Sequence, residues 1–268
     1  MSFAGLKVLS LESRRAAEMA ELIRKQGGEP VVAPSIREIP IEDSGVIDFA
    51  GRLFAGGFDM MVLMTGVGTR HLNRAIAERY AEGAFAGALR RLTVAARGPK
   101  PVAALREMGL APAIVAPEPN TWREMLAALE GRPERRIAVQ EYGRPNPDLL
   151  KGLGARGAEV APVRVYRYGL PEDTAALRAA VRKLAEGEID VALFTTAMQI
   201  VNLARVAKDQ GIEAEAMDAL RRCRVMSIGP TTTESLEEFG VTAAFEPSHP
   251  KMGLLVREGA GQTGDHGT

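Results

Sequence analysis

Arg224 to Thr233 reads RVMSIGPTTT. Val225 to Ile228 is an apolar run of strand length, Gly229-Pro230 is a sharp turn, and three threonines open a helix expected over 231–239. A strand that feeds a helix start leaves the first helical N–H groups without partners and sets the positive end of the helix dipole at the turn. Such a turn suits an anion. The same order of parts recurs at VLMTGVGT (62–69), TVAARGPK (93–100), AVQEYGRP (138–145) and ALFTTAMQ (192–199).

Outward from these turns the pattern is strand, helix, strand, helix, which calls for parallel sheets flanked by helices. Asp59 to Met64 is apolar from Met60 onward, as a parallel strand covered on both faces should be. Further strands are expected over 6–11, 30–34, 92–96, 113–116, 137–140, 159–163, 189–194 and 242–245. Ser13, Asp43 or Ser44, and Thr174 stand where helix caps belong, and Thr121 with Glu124 forms a capping box. A last helix is expected over 251–258.

Two stretches, 35–41 and 164–171, have no clear period and read as connectors. They divide the chain into a discontinuous first lobe, 1–36 plus 167–258, and a second lobe, 37–166, inserted into it. The fold class is therefore α/β, with two lobes, each a parallel sheet flanked by helices, joined by a two-stranded hinge. The ligand cleft is expected between the lobes, at the carboxyl ends of the strands. Gly259 to Thr268 is Gly-rich and polar and reads as a disordered tail.

Composition removes several functions. Lys plus Arg equals Asp plus Glu at 34 each, so no global charge draws the chain to nucleic acid or an anionic membrane. No apolar run reaches the roughly 20 residues that a membrane helix needs. A single cysteine, Cys223, allows no internal disulfide, and no basic segment precedes a long apolar core, so a cytoplasmic protein is expected. His71, His249 and His266 are far apart and no Cys-x-x-Cys occurs, so no metal is expected. Thr65 to His71 (TGVGTRH) lacks the third small residue of a dinucleotide fingerprint, and no Gly-Lys-Ser/Thr is present. No nucleophile elbow, Ser/His/Asp trio or paired strand-end carboxylates stand out. A protein so sparsely equipped would hold a reactive substrate and steer it.

The candidate contacts lie in the turns: Thr65, Gly66, Val67 and Gly68; Ala96, Arg97 and Gly98; Tyr142, Gly143 and Arg144; Thr195, Thr196 and Ala197; Gly229, Pro230, Thr231 and Thr232. Threonines at helix starts are commonly plain caps, and arginines are commonly surface residues. Arg97 and Arg144 would nonetheless suit an anionic ligand, because a guanidinium binds carboxylates through two bonds. Tyr166, in the second connector, either packs or gives a proton or hydrogen bond to a leaving group. Tyr168 lies on the same face and is the less favoured candidate. Tyr80 is expected to pack within its helix.

At these residues the chain resembles the uroporphyrinogen-III synthases. The resemblance rests on TGVG (65–68), ARGPKPVAALREMGL (96–110), YGRP (142–145), VYRYGLP (165–171), DVALFTTAMQIV (190–201) and IGPTTTESLEEFGV (228–241), in this order. It covers about Leu6 to Glu258. It implies two lobes on a two-strand hinge and a linear tetrapyrrole substrate, hydroxymethylbilane. That substrate would be closed to uroporphyrinogen III with inversion of ring D and loss of water, in the biosynthesis of haem, sirohaem or cobalamin. It implies a lyase without cofactor or metal. A monomer with no nucleic acid or membrane partner is expected. The family's hinge tyrosine falls on Tyr166, a contributor rather than an indispensable group, and its hydroxyl pair on Thr231 and Thr232. Thr195-Thr196-Ala197-Met198 departs from the Ser-Pro or Ser-x-x-Gly of many members. Glu141 disfavours an anionic ligand unless it points away. The alternative is a bilobal binding protein or sensor for a small polyanionic ligand, without catalysis.

Overall fold

The computed structural model describes residues 2–41, 45–141, 143 and 145–262. The chain divides into two compact units, Met1–Arg37 with Gly169–Thr268, and Glu38–Tyr168.

The first unit begins with β1 (Lys7–Ser10), α1 (Ala16–Lys25) and β2 (Glu29–Val32). The chain then passes through β3 (Arg37–Pro40), α2 (Val46–Phe54), β4 (Met60–Leu63), α3 (Gly66–Ala77), α4 (Ala84–Leu89), β5 (Thr93–Ala96), α5 (Pro99–Glu107) and β6 (Ile114–Val115). It continues with α6 (Trp122–Ala128), β7 (Arg136–Gln140), α7 (Pro147–Ala155), β8 (Glu159–Val163) and β9 (Tyr166–Gly169). The first unit resumes with α8 (Ala175–Ala185), β10 (Val191–Phe194), α9 (Met198–Asp209), α10 (Glu213–Arg222), β11 (Arg224–Ser227), α11 (Pro230–Glu238) and α12 (Met252–Gln262).

Each unit carries one parallel sheet, in the order β11-β10-β1-β2 in the first and β6-β5-β4-β7-β8 in the second. Both sheets are covered on both faces, so neighbouring strand residues serve different cores. Leu9 and Phe194 join one apolar cluster of the first unit, Val8 and Leu193 the other. In the second unit Met61 and Leu63 join one cluster, Met60 and Val62 the other. The strand order also reverses once in each sheet. β1 has β2 on one flank and β10 on the other; β4 has β5 on one flank and β7 on the other. Chain connections leave these strands in opposite directions, and the gap beyond their carboxyl ends is where such sheets take ligands.

The two connectors do pair as the expected two strands, β3 with β9, although neither has a period of its own. Several local expectations need correction. Ser13 does not cap α1, whose N-cap is Arg15. Its hydroxyl instead accepts the backbone N–H groups of Ser35 (3.1 Å) and Ile36 (2.9 Å). Thr174 occupies the N-cap of α8 without a side-chain bond, and Asp173 takes the Ala175 N–H (2.8 Å) in its place. Asp43 and Ser44 lie outside the described residues; the N-cap of α2 is Gly45, in the left-handed conformation. The strand expected over 242–245 is a single bridge from Phe245 to Met226, and Pro247 has no N–H with which to extend it. Helix α4 was not anticipated, since AFAGAL is short and interrupted by Gly87. The Thr121–Glu124 capping box is present.

The tail expected from Gly259 is helical as far as Gln262. Gly259 is needed where α12 crosses β11, because a Cβ there would lie 2.5 Å from Met226 Sδ. Ala260 is fully buried. Residues 263–268 lie outside the described residues. Ending the chain after Glu258 should therefore lower the free energy of unfolding by about 1 kcal/mol or more, from the lost apolar burial. Urea denaturation checks this, and an unchanged midpoint would remove the last turn from the core.

Candidate active site

Beyond β4 the chain enters α3 through Thr65, whose hydroxyl accepts the Gly68 N–H (3.0 Å). Thr69 Oγ1 returns a bond to the Thr65 carbonyl (2.8 Å). Two glycines make this turn possible for reasons of space. A Cβ on Gly66 would lie 2.4 Å from the Lys100 carbonyl, and one on Gly68 1.9 Å from Gln140 Nε2. Close approach of α3 to α5 and to Gln140, rather than a nucleotide cradle, accounts for the glycine pair.

Gln140, at the end of β7, is fully buried. Its Oε1 accepts the Thr65 N–H (3.1 Å), and its Nε2 donates to the Glu141 carbonyl and to Thr65 Oγ1 (3.4 Å). It thus bridges β4 and β7 where the strand order reverses. Glu141 is buried and occupied. Its Oε1 accepts the Asn146 N–H (3.0 Å), and Arg164 Nε stands 3.7 Å from Oε2. The carboxylate is thereby engaged at the start of α7.

Arg97 follows β5, half-buried, its backbone N–H bonded to the Leu63 carbonyl (3.0 Å). Ala96 is buried in the core. The Asn120 carboxamide, oriented to donate to the carbonyls of Ala116 and Arg97 (3.1 Å each), holds this turn against the loop before α6. Gly98 admits Asn120, which a Cβ would meet at 2.6 Å. Tyr142 and Arg144 lie outside the described residues. Gly143 between them is buried, and a Cβ there would lie 2.6 Å from the Tyr168 ring.

Tyr166 is fully buried in the second unit. Its hydroxyl lies 3.2 Å from Thr65 Oγ1 and 3.3 Å from the Tyr168 hydroxyl. The His71 ring stacks beside it, with centroids 5.9 Å apart. Burial, and secondly the neighbouring Tyr168, pushes the Tyr166 phenol well above the usual tyrosine range.

The first unit repeats the arrangement with other residues. Beyond β10, Gln199 Oε1 accepts the N–H groups of Thr195 (2.6 Å) and Thr196 (3.3 Å), and Nε2 donates to Thr195 Oγ1 (2.9 Å). Thr195 Oγ1 donates to Glu12 Oε2 (2.7 Å), just beyond β1, so this bond also spans the reversal of strand order. The other Glu12 oxygen accepts the N–H groups of Arg14 (3.1 Å) and Arg15 (3.3 Å). Gln199 and Ala197 are buried; Thr196 is half-buried. Gly229, beyond β11, is the N-cap of α11, and Pro230 takes the first helical position, where no N–H is missed. Thr232 is buried while Thr231 is half-buried, so Thr231 is the accessible member of the pair. Thr233 bonds to Glu246 and to the Gly229 carbonyl (3.4 Å).

The sequence reading missed Gln140, Gln199, Asn120 and Glu12. One signal was available: IAVQ is an apolar strand closed by a carboxamide, and a buried carboxamide must find partners. The lone thiol offers no nucleophile, since burial raises Cys223 to about 11. Among the described residues no cluster of His, Cys, Asp or Glu could hold a metal ion, and no helix is long and apolar enough to cross a membrane.

Comparison with known proteins places these turns in context. The family described as "HEM4: Uroporphyrinogen-III synthase HemD" matches residues 17–257. The chain is 32% identical over 232 residues to a Methanothermobacter thermautotrophicus protein provisionally named a uroporphyrinogen-III synthase, covering 85% of this chain and 87% of that one. It is 29% identical over 257 residues to the uncharacterised Bacillus subtilis protein YjjA, covering 95% and 94%. A crystal structure of a mutant uroporphyrinogen III synthase from Thermus thermophilus superimposes with a TM-score of 0.72 at 29% identity, covering 97% of this chain and 100% of that one.

Gly68→Ala should force Gln140 out of its position or distort the turn, lowering the free energy of unfolding by about 1–3 kcal/mol. Chemical denaturation checks this. Wild-type stability would mean that Gln140 does not occupy the space beside Gly68.

Proposed function

Because the chain belongs to the uroporphyrinogen-III synthase family, whose members are cofactor-independent cyclising lyases, we propose that it closes hydroxymethylbilane to uroporphyrinogen III, inverting ring D and releasing water. The family match over residues 17–257 carries this reading. The strand-end turns support it, because they concentrate backbone N–H groups, hydroxyls and Arg97 in the manner a polycarboxylate requires.

The substrate is reactive by itself and in water closes to the I isomer without inversion. The protein's task is then to bind and orient the chain faster than that closure proceeds. In this reading, the first-turn N–H groups at 66, 67, 197 and 231, together with Arg97, Arg144 and the Thr196 and Thr231 hydroxyls, take the substrate's carboxylates. Buried Gln140 and Gln199 hold the turns in one geometry, so little ordering remains for the substrate to impose. Tyr166, enclosed, contributes through its hydrogen bonds. The reaction would take place in the cytoplasm, as a step of tetrapyrrole biosynthesis.

The test is incubation with freshly generated hydroxymethylbilane, oxidation of the products, and chromatographic separation of the isomers. Isomer III in large molar excess over protein is expected. Only isomer I, at the uncatalysed rate, would leave a polyanion-binding protein instead. Arg97→Ala should raise KM about tenfold, the cost of one charge-assisted contact, with kcat much less affected. Unaltered saturation would take Arg97 out of the substrate's reach.

A further inference from the structure

The turn before α5 gives up most of its backbone donors. The helix opens on Pro99, Lys100 and Pro101, and of these only Lys100 carries an N–H. A helix start would otherwise offer such groups to an anion. Anion affinity here falls to side chains. Of the two cations in the turn, Lys100 is exposed on the helix, while Arg97 is half-buried at the end of β5. Two-bond capture of a carboxylate depends on the plane and direction of the guanidinium, so the backbone that carries it has to be fixed. The Arg97 backbone is fixed at both of its peptide groups. Its N–H donates to the Leu63 carbonyl of β4 (3.0 Å). Its carbonyl accepts from the Asn120 carboxamide nitrogen (3.1 Å), which also donates to the Ala116 carbonyl (3.1 Å). The last backbone bond between these strand ends runs from the Ala116 N–H to the Ala96 carbonyl (3.0 Å), and the carboxamide takes over just beyond it.

Asn120 is itself held. Its N–H donates to the Pro117 carbonyl (2.8 Å), and the Thr121–Glu124 capping box starts at the next residue. Its φ of 61° is left-handed, a conformation that asparagine adopts more readily than most residues with a side chain. Glycine would enter it more easily still, but would bring no carboxamide. Gly98 completes the fit. Its φ of 175° is extended and open to any residue, so the glycine is there for space: a Cβ would lie 2.6 Å from the Asn120 carboxamide.

We propose that Asn120 is a positioning residue for Arg97, and that the pair, with Gly98 making room, clamps one carboxylate of the substrate at a helix start whose own donors are mostly gone. This deepens the cyclase reading above and rests on it. Asn120 does not touch the substrate and acts through Arg97. No bond is made or broken at either residue; their contribution is to hold one end of a reactive chain in a fixed direction.

Two measurements test this. The first is the steady-state formation of isomer III. Asn120→Gly keeps the left-handed backbone and removes the carboxamide. It should raise KM about fivefold with kcat within about twofold, the scale of a weakened charge-assisted contact. Gly98→Ala, which pushes the carboxamide aside, should do the same. In an Arg97→Ala background both changes should move KM by less than about 1.5-fold, because the group they act through is gone. An unchanged KM in Asn120→Gly overturns the assignment. So does a rise by the same factor with and without Arg97, which is what a merely structural defect would give. The second measurement needs no turnover: uroporphyrin III, the oxidised product, is titrated against the same variants by fluorescence. Its Kd should weaken about fivefold in Asn120→Gly, and about tenfold in both Arg97→Ala and the double variant. A double variant weakened by the product of the single effects overturns the clamp. A wild-type protein that makes only isomer I but shows the coupled Kd values sinks the cyclase reading and leaves the clamp within a polyanion site. Isomer III together with independent effects at 97 and 120 sinks the clamp alone.

Discussion

Within two residues of the end of a buried parallel strand, a backbone N–H leaves the ladder and loses its strand partner. Left unpaired, such a group costs about 1–3 kcal/mol. In both units this donor belongs to a threonine at the reversal of strand order, and in both a glutamine carboxamide takes it. The two glutamines come from different places. Gln140 closes the neighbouring strand β7, while Gln199 sits in the first turn of α9. The same bond reached from two directions points to the requirement itself: the strand end must be satisfied by a side chain, since no neighbouring backbone carbonyl reaches it.

From this constraint the rest of each turn follows. Once Gln140 lies against α3, position 68 has no room for a side chain, and position 66 has none because the α5 carbonyl of Lys100 is there. Glu141, next in sequence, is drawn away to Asn146 and Arg164. The negative charge that argued against an anionic ligand at this turn is engaged elsewhere, near the start of α7.

The parts of this fold legible in the sequence were those with a period or a continuous apolar run. Met60–Leu63 and Val191–Phe194 announce themselves because both faces are buried. β3 and β9 do not, since neither side of a two-stranded ribbon imposes a regular pattern and their pairing depends on residues more than a hundred positions apart. At the site, the turns could be located and their anion-binding character argued from backbone geometry alone. The residues that hold them could not, because Gln140, Gln199, Asn120 and Glu12 act singly, through hydrogen bonds that follow no spacing rule. The TGVG at 65–68 was legible as a tight turn but not as a packing necessity, since that depends on which carbonyl and which carboxamide the fold brings alongside. Tyr166 stood out by type, whereas the partners of its hydroxyl, Thr65 and Tyr168, are set by the fold.

The discontinuity of the first unit has a consequence for the order in which the molecule is made. β1 is central in its sheet, yet Lys7 meets its β10-side partner Asp190 only across 183 residues. All of β4 to β8 lies within that interval, so the second unit's sheet can close as it emerges. β1 and β2 leave the ribosome first and then wait, one flank of β1 bare and apolar, until Val191 and its neighbours arrive. For that interval the oldest part of the chain is the least finished, and its open edge is the molecule's point of exposure to wrong partners.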